Sequence, residues 1–364
     1  MGQRQMCEVG HCTTKALLDD PESNTFNLAC IDNTISYGES REQLVETMKR
    51  VVRRFKDGNV LLNGQDADGG MDVEALAVQR AEWCGVRFDL VSKEVQLTEK
   101  HVGKLGLSLS MRESWSRRSV YAHFGLLFWA IGLADHNPGD YFCALGFYAS
   151  LCRQFSEAEH FGAGEKFLDE PAEISDDCMA AIAQWTREVM RNQPIVVRPH
   201  GRANWLVAVD ACATGFGYVA VNPETGDVRL HGQRWPRAFY VANLFKMHRS
   251  AFTEPHGVIM SMCHLLEYTG VLQRVHVWTD SVTARAVGAK GFNARSADIN
   301  DCGRRLRQLF PPQFFVFSFA HLAGKLNVGA DALSRGAKVD EVDVAGEAAR
   351  LLQLEAAAEE QRRA

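Results

Sequence analysis

The chain has 364 residues, of which 46% are apolar and 23% charged, the composition of a globular protein of two or three domains. Its longest apolar stretch, residues 124–132, is about half a bilayer span and runs into Asp135, His136 and Asn137, and the opening MGQRQMCEVGHCTTK has neither an apolar signal region nor the Ser/Thr of a myristoylation site, so an intracellular protein, cytoplasmic or nuclear and not secreted, is expected. A net charge of −5 excludes a protein that wraps nucleic acid over its whole surface.

After a lead of residues 1–26, the pattern of residues 26–38 predicts a hairpin with Asp32 and Asn33 at its tip, and residues 40–57 a helix exposing Glu42, Glu46, Lys49 and Arg53. Residues 83–98 predict a second hairpin, and residues 119–190 read as mostly helical and rich in aromatic side chains. Pro194, Pro199 and Gly201 interrupt both periodicities and mark a boundary. Beyond it, WLVAVDAC, GYVAVN and VRLHGQRW read as three antiparallel strands, the last two joined by the turn NPETGD. A helix is predicted to begin at Glu254-Pro255, where proline suits a first turn, and to stop at Gly270, with Val258, Met262, Leu265 and Leu266 on one face. The strand VHVWTD, a short helix from Ser281, and a helix over residues 296–310 follow, the last burying Ile299, Cys302, Leu306 and Leu309. The strand FFVFSFAH, a loop and a helix around Asp331 complete the order βββαβααβα. Residues 339–364, rich in Ala, Glu and Leu, are expected to form one exposed or partner-binding helix. The predicted segments are thus 1–26, 27–118, 119–203, 204–338 and 339–364, an α/β mixed sheet preceded by a mostly helical α+β region.

The ten cysteines show no dense spacing and read as reduced; Cys7, His11 and Cys12 lack a second ligand pair for zinc. Gly215 and Gly217 formally satisfy a G-x-G-x-x-A dinucleotide fingerprint, but a strand and a turn follow them instead of a helix. Phe161-Gly-Ala-Gly lacks P-loop spacing, and Ser250, His248 and Asp280 lack the elbow of a hydrolase triad.

Four acids occupy the positions that a βββαβααβα sheet brings together. Asp210 lies on the first strand, Glu254 at a helix start, Asp280 at the end of the fourth strand and Asp331 in the last helix. An α-crossover from the meander sets the first and fourth strands side by side. Converging carboxylates repel one another, an arrangement tolerated chiefly where divalent cations bind; oxygen-only ligands suit Mg²⁺, with Mn²⁺ as substitute. Two such ions serve phosphodiester hydrolysis. Residues 281–338 carry nine basic against three acidic residues, so one region can hold a phosphate backbone although the whole chain is acidic.

The motifs VAVDACATGFG, FTEPHGV, VWTDSVTA and HLAGKLNVGADALSR over residues 205–335 resemble the ribonuclease H domain of retroelement polyproteins. That resemblance implies a ribonuclease H-like sheet, with Asp210, Glu254, Asp280 and Asp331 binding two Mg²⁺ ions and His321 assisting product release. The implied substrate is an RNA/DNA hybrid cut in its RNA strand; the basic local charge makes Lys290, Arg295, Arg304, Arg305, Arg307 and Lys325, with Asn327, the expected contacts to it, a solvated face being the other reading. Upstream, LACIDNTISYGES, VLLNG and WCGVRFDLVSKEVQLT resemble the palm and primer grip of reverse transcriptases, nearer to DIRS-like or trypanosomatid tyrosine-recombinase elements than to typical LTR elements. Asn33 replaces the second aspartate of the palm pair, and the palm strand carrying a further metal-binding Asp is missing, so polymerisation by this chain alone is not expected. Asp32 is then read as a turn cap. Two alternatives carry no chemistry by this chain alone: a domesticated scaffold in an RNA–protein assembly, and a fragment that docks on a separate polymerase subunit through exposed apolar residues among 124–129.

Overall fold

A computed structural model describes residues 26–30, 33–38, 40–58, 71–133, 136–196, 202–270, 272–293, 295–312 and 314–363. Cys7, His11, Cys12, Asp32 and the VLLNG segment lie outside the described residues. The chain divides into two compact units: Met1–Ser110 with Leu126–Asp135 and Glu188–Arg198, and Met111–Gly125 with His136–Arg187 and Pro199–Ala364.

In the first unit, β1 (Phe26–Cys30) and β2 (Asn33–Tyr37) pair antiparallel as the expected hairpin. Helix α1 (Arg41–Asp57) begins where the Ser40 side chain accepts the Gln43 N–H at 3.2 Å, and it buries Val45, Val51 and Phe55 while Glu42, Glu46, Lys49 and Arg53 stay exposed. A one-turn helix, α2 (Val73–Leu76), follows. The second expected hairpin is a larger sheet: β3 (Arg80–Trp83), β4 (Val86–Asp89), β5 (Glu94–Leu97) and β6 (Ile195–Val196) pair antiparallel in that order. Helix α3 (Glu99–Ser110) buries His101 and Leu105.

The second unit takes in most of the helical region: much of α4 (Arg117–Ala130), α5 (Phe142–His160), α6 (Gly164–Asp169) and much of α7 (Asp176–Met190). Phe124 and Leu127 are fully buried, so the exposed apolar surface on which a docking reading depended is reduced to Trp129.

Three strands open the C-terminal region: β7 (Trp205–Ala211), β8 (Gly215–Val221) and β9 (Val228–Arg234). After an unforeseen short helix, α8 (Arg237–Ala242), come α9 (Ser250–Thr269), β10 (Arg274–Thr279), α10 (Val282–Lys290), α11 (Ala297–Leu309), β11 (Val316–His321) and α12 (Val328–Ser334). The five strands form one mixed sheet in the order β11-β10-β7-β8-β9, with β10 parallel to both β7 and β11 and the meander antiparallel. This is the ribonuclease H-like sheet, with α8 as an addition.

All seven residues of β7 are buried, as a central strand covered on both faces requires. Alternation sends Trp205, Val207 and Val209 to a core shared with Val258, Met262 and Leu265 of α9 and Leu306 of α11, and Leu206 and Ala208 to the opposite face. There Leu333 of α12 and Ala348 and Leu351 of α13 (Val344–Arg363) complete a second core. The C-terminal helix is thus not an exposed arm. Leu351 is fully buried, and Glu355 Oε2 lies 3.2 Å from His276 Nδ1 on β10. Leu309, expected on the buried stripe of α11, is 47% exposed because it falls in the last turn, beyond the sheet's cover.

Candidate metal centre

Asp210 is the sixth residue of β7 and shares its pleat face with Leu206 and Ala208, the side that α12 covers. The approach of α12 is close because β8 has glycine opposite Asp210: a Cβ at Gly217 would stand 2.6 Å from both Leu333 Cβ and the Ser334 nitrogen. As a result the Ser334 hydroxyl reaches Asp210 Oδ2 at 2.5 Å, with the Asp331 carbonyl at 2.9 Å as its other acceptor. Asn327 Nδ2 donates to the Val209 carbonyl at 3.0 Å and pins the start of α12 to the same strand.

Glu254 comes from α9. That helix starts at Ser250, four residues earlier than expected, so Pro255 sits inside it and Glu254 belongs to its second turn. Burial of Phe252 against Phe239 and His256 overrides the local preference of proline for a first turn. Gly257 lets the helix touch β7, since a Cβ there would lie 2.5 Å from Ala211 Cβ. Asp280 follows the last residue of β10, between two capping groups. Thr279 Oγ1 accepts the Ser281 N–H at 3.1 Å, and Ser281 Oγ accepts the Ala284 N–H at 3.1 Å as the N-cap of α10.

Asp210, Glu254 and Asp280 each offer a carboxylate oxygen, and the three atoms lie within 4.8 Å of one another. Burial, reinforced by Asp210 and Asp280, pushes the Glu254 carboxyl up to about 9, and Glu254 Oε2 is buried without a hydrogen-bond partner. Burial also raises Asp210, against the lowering bond from Ser334 and with the charges of Asp280 and Asp331 adding to the rise. An unpartnered oxygen in a repelling acidic set fits a hard divalent cation, which supplies the missing partner and offsets the charge.

Of the expected ligands the structure brings three together; the fourth stands outside that set. Asp331 Oδ1 accepts from Arg335 Nε at 2.9 Å and Nη2 at 2.7 Å, an ion pair on the surface side of α12. His321 ends β11 in register with Thr279, so it shares the sheet end that carries Asp280, and it is exposed. Among the expected nucleic-acid contacts, Lys290, Arg295, Arg305 and Lys325 are exposed and Arg307 is half-buried. Arg304 is engaged by Asp140 at 2.7 Å. The Asn327 side chain is fully buried and donates to the Val209 carbonyl.

No protein-family model matches the chain, and no curated protein matches it. Solved structures similar to it include an RNase H1 from Halobacterium salinarum, 19% identical over 39% of this chain and 100% of that one, with a TM-score of 0.29. The N-terminal RNase H domain of a Mycobacterium tuberculosis protein is 16% identical over 36% of this chain and 97% of its own, with a TM-score of 0.29. A foamy viral protease-reverse transcriptase in complex with an RNA/DNA hybrid is 11% identical over 85% of this chain and 37% of its own, with a TM-score of 0.35. The chain spans well under half the length of that viral protein. With scores of this size the fold rests on its own strand order and register.

Ser334, Arg335, Gly217 and Gly257 escaped sequence reasoning. The first two lay within the closing motif, where the chemistry of Asp331 overshadowed them. The glycines gave only a false dinucleotide signal or none, because a close approach between elements has no local signature.

The raised Glu254 carboxyl has a measurable consequence. The unfolded chain loses this proton near the usual 4.5, whereas the metal-free folded chain holds it to about 9, so folded stability declines as pH rises through that window. In chelator the melting temperature should fall between about pH 5 and pH 9, and added Mg²⁺ should raise it more at about pH 8 than at pH 6. Calorimetry at fixed ionic strength checks both slopes.

Proposed function

We propose that the C-terminal domain is a metal-dependent endonuclease that hydrolyses the RNA strand of RNA/DNA hybrids. The observation that carries this reading is the convergence of Asp210, Glu254 and Asp280 around an unpartnered, buried Glu254 oxygen. When bound, two Mg²⁺ ions polarise the attacking water and offset charge on the leaving oxygen.

The chain's own residues hold and orient. Asp210, Glu254 and Asp280 provide the oxygen ligands, and Ser334 fixes the Asp210 carboxylate through its hydroxyl. Asp331, restrained by Arg335, completes the ligand set on the outer side, and His321 assists product release. Lys290, Arg295, Arg305, Arg307 and Lys325 hold phosphates, while contacts to 2′-hydroxyls across the minor groove select RNA. Arg304 contributes little while Asp140 neutralises it. The region upstream is read as reverse-transcriptase-like.

The test is cleavage of an end-labelled RNA/DNA hybrid by the full chain in Mg²⁺ or Mn²⁺. Cutting of the RNA strand, with double-stranded DNA left intact, is the expected result. A well-folded protein inert in both metals overturns the reading and leaves the scaffold alternative.

A further inference from the structure

The addition between β9 and α9 has an unusual composition. From Trp235 to Arg249 there is no Asp or Glu, yet there are three Arg or Lys residues, in a chain whose net charge is −5. The segment is anchored from below. Trp235 Nε1 donates to the Cys212 carbonyl at 2.8 Å, Phe239 of α8 packs between Trp235 (5.1 Å between ring centres) and Phe252 (6.1 Å), and Lys246 reaches Asp298 at 2.5 Å. Two of its anchors neighbour the acidic cluster in sequence: Cys212 is two residues from Asp210, and Phe252 two from Glu254. Above these anchors its apolar side chains are spread over the surface instead of buried. Phe245 is 85% and Val241 65% exposed, and Tyr240 and Leu244 are exposed as well. Arg234 and Arg237 are exposed beside them.

A large apolar side chain left in water by a rigidly anchored segment has no folding role to explain it. An exposed aromatic ring on a segment that carries cations and no acid of its own complements one class of partner better than others: a strand that offers both phosphates and unstacked bases. Within a duplex the bases are already stacked on one another, so Phe245 gains a base only where a strand runs on unpaired. We propose that the α8 segment grips a single-stranded extension of the hybrid, with Phe245 stacking on an unpaired base and Arg237 contacting its phosphate. The inference rests on the nuclease reading for its substrate but not for its test.

The experiment measures binding of the full chain, by fluorescence anisotropy, to hybrids that are blunt or carry an unpaired tail on either strand, and in parallel follows their cleavage. Tailed hybrids should bind about tenfold more tightly than blunt ones. Phe245→Ala should erase that difference, and Arg237→Glu should reduce it and lower the salt slope by about one. KM for tailed hybrids should rise in both variants with kcat within about twofold. Phe161→Ala, a control at a residue 82% exposed and far along the chain, should change nothing.

Equal binding of tailed and blunt hybrids, or a tail preference that survives both variants, overturns the proposal, as does failure to bind any of these probes. A tail preference left intact while Phe245→Ala abolishes self-association in sedimentation would likewise overturn it and assign the face to a second copy of the chain. Tail-dependent binding lost in the variants, with no cleavage by the parent protein, sustains the proposal and overturns only the nuclease reading.

Discussion

Replacing Asp280 with Asn should lower hybrid cleavage by at least about a thousandfold and, in the same protein, raise the melting temperature measured in chelator. Both effects come from one cause. Asp280 shares a site less than 5 Å across with Asp210 and Glu254, and its charge is among those that raise both neighbours. An amide keeps the shape and one oxygen but removes the charge, so a cation loses part of its attraction while the metal-free fold loses part of its repulsion. Asp280 is the informative choice because its backbone is held by the Thr279 and Ser281 caps, which Asn leaves intact. Gel assays and thermal melts in chelator check the pair. Loss of activity with a lower melting temperature would point to a folding defect, and retained activity would remove Asp280 from the centre.

Gly217→Ala should destabilise the C-terminal domain by about 1–3 kcal/mol, a drop of about 2–4 °C per kcal/mol, and also depress cleavage. The added carbon would meet the Ser334 nitrogen at 2.6 Å and the Ala330 carbonyl oxygen at 2.8 Å. These are backbone atoms that no rotamer change relieves, so α12 must move outward and carry the Ser334 hydroxyl away from Asp210. The matched control is Gly146→Ala in α5, where a Cβ meets nothing within 4 Å. Removing a helix-interior glycine there should stabilise by about 0.5–1 kcal/mol without touching cleavage. Equal effects at the two sites would refute the close-packing account.

Much of the C-terminal fold is local in origin and therefore legible. Apolar runs mark β7 and β8 and alternation marks β10, NPETGD sets the β8–β9 turn, and the caps Ser281 and Ser296 start α10 and α11. The same local signals placed the three converging acids at strand ends and on a helix. What the sequence by itself determined was the kind and order of these elements and the identity of the acids.

The tertiary structure alone decided which acids meet and which basic residues remain available. Asp331 is turned toward Arg335, Arg304 is taken by Asp140 from 164 residues away, and Asn327 is drawn inside to the Val209 carbonyl 118 residues distant. Glu254 moved from the first turn of α9 to the second because Phe252 found an aromatic partner in Phe239, on a helix with no strong periodicity of its own. The C-terminal helix, with no amphipathic signal that favours one face, was covered by whatever apolar surface the sheet left open. Each of these outcomes depends on groups remote in sequence that compete for the same partner, and a hydrogen bond or a buried surface goes to the group that the assembled sheet brings within reach.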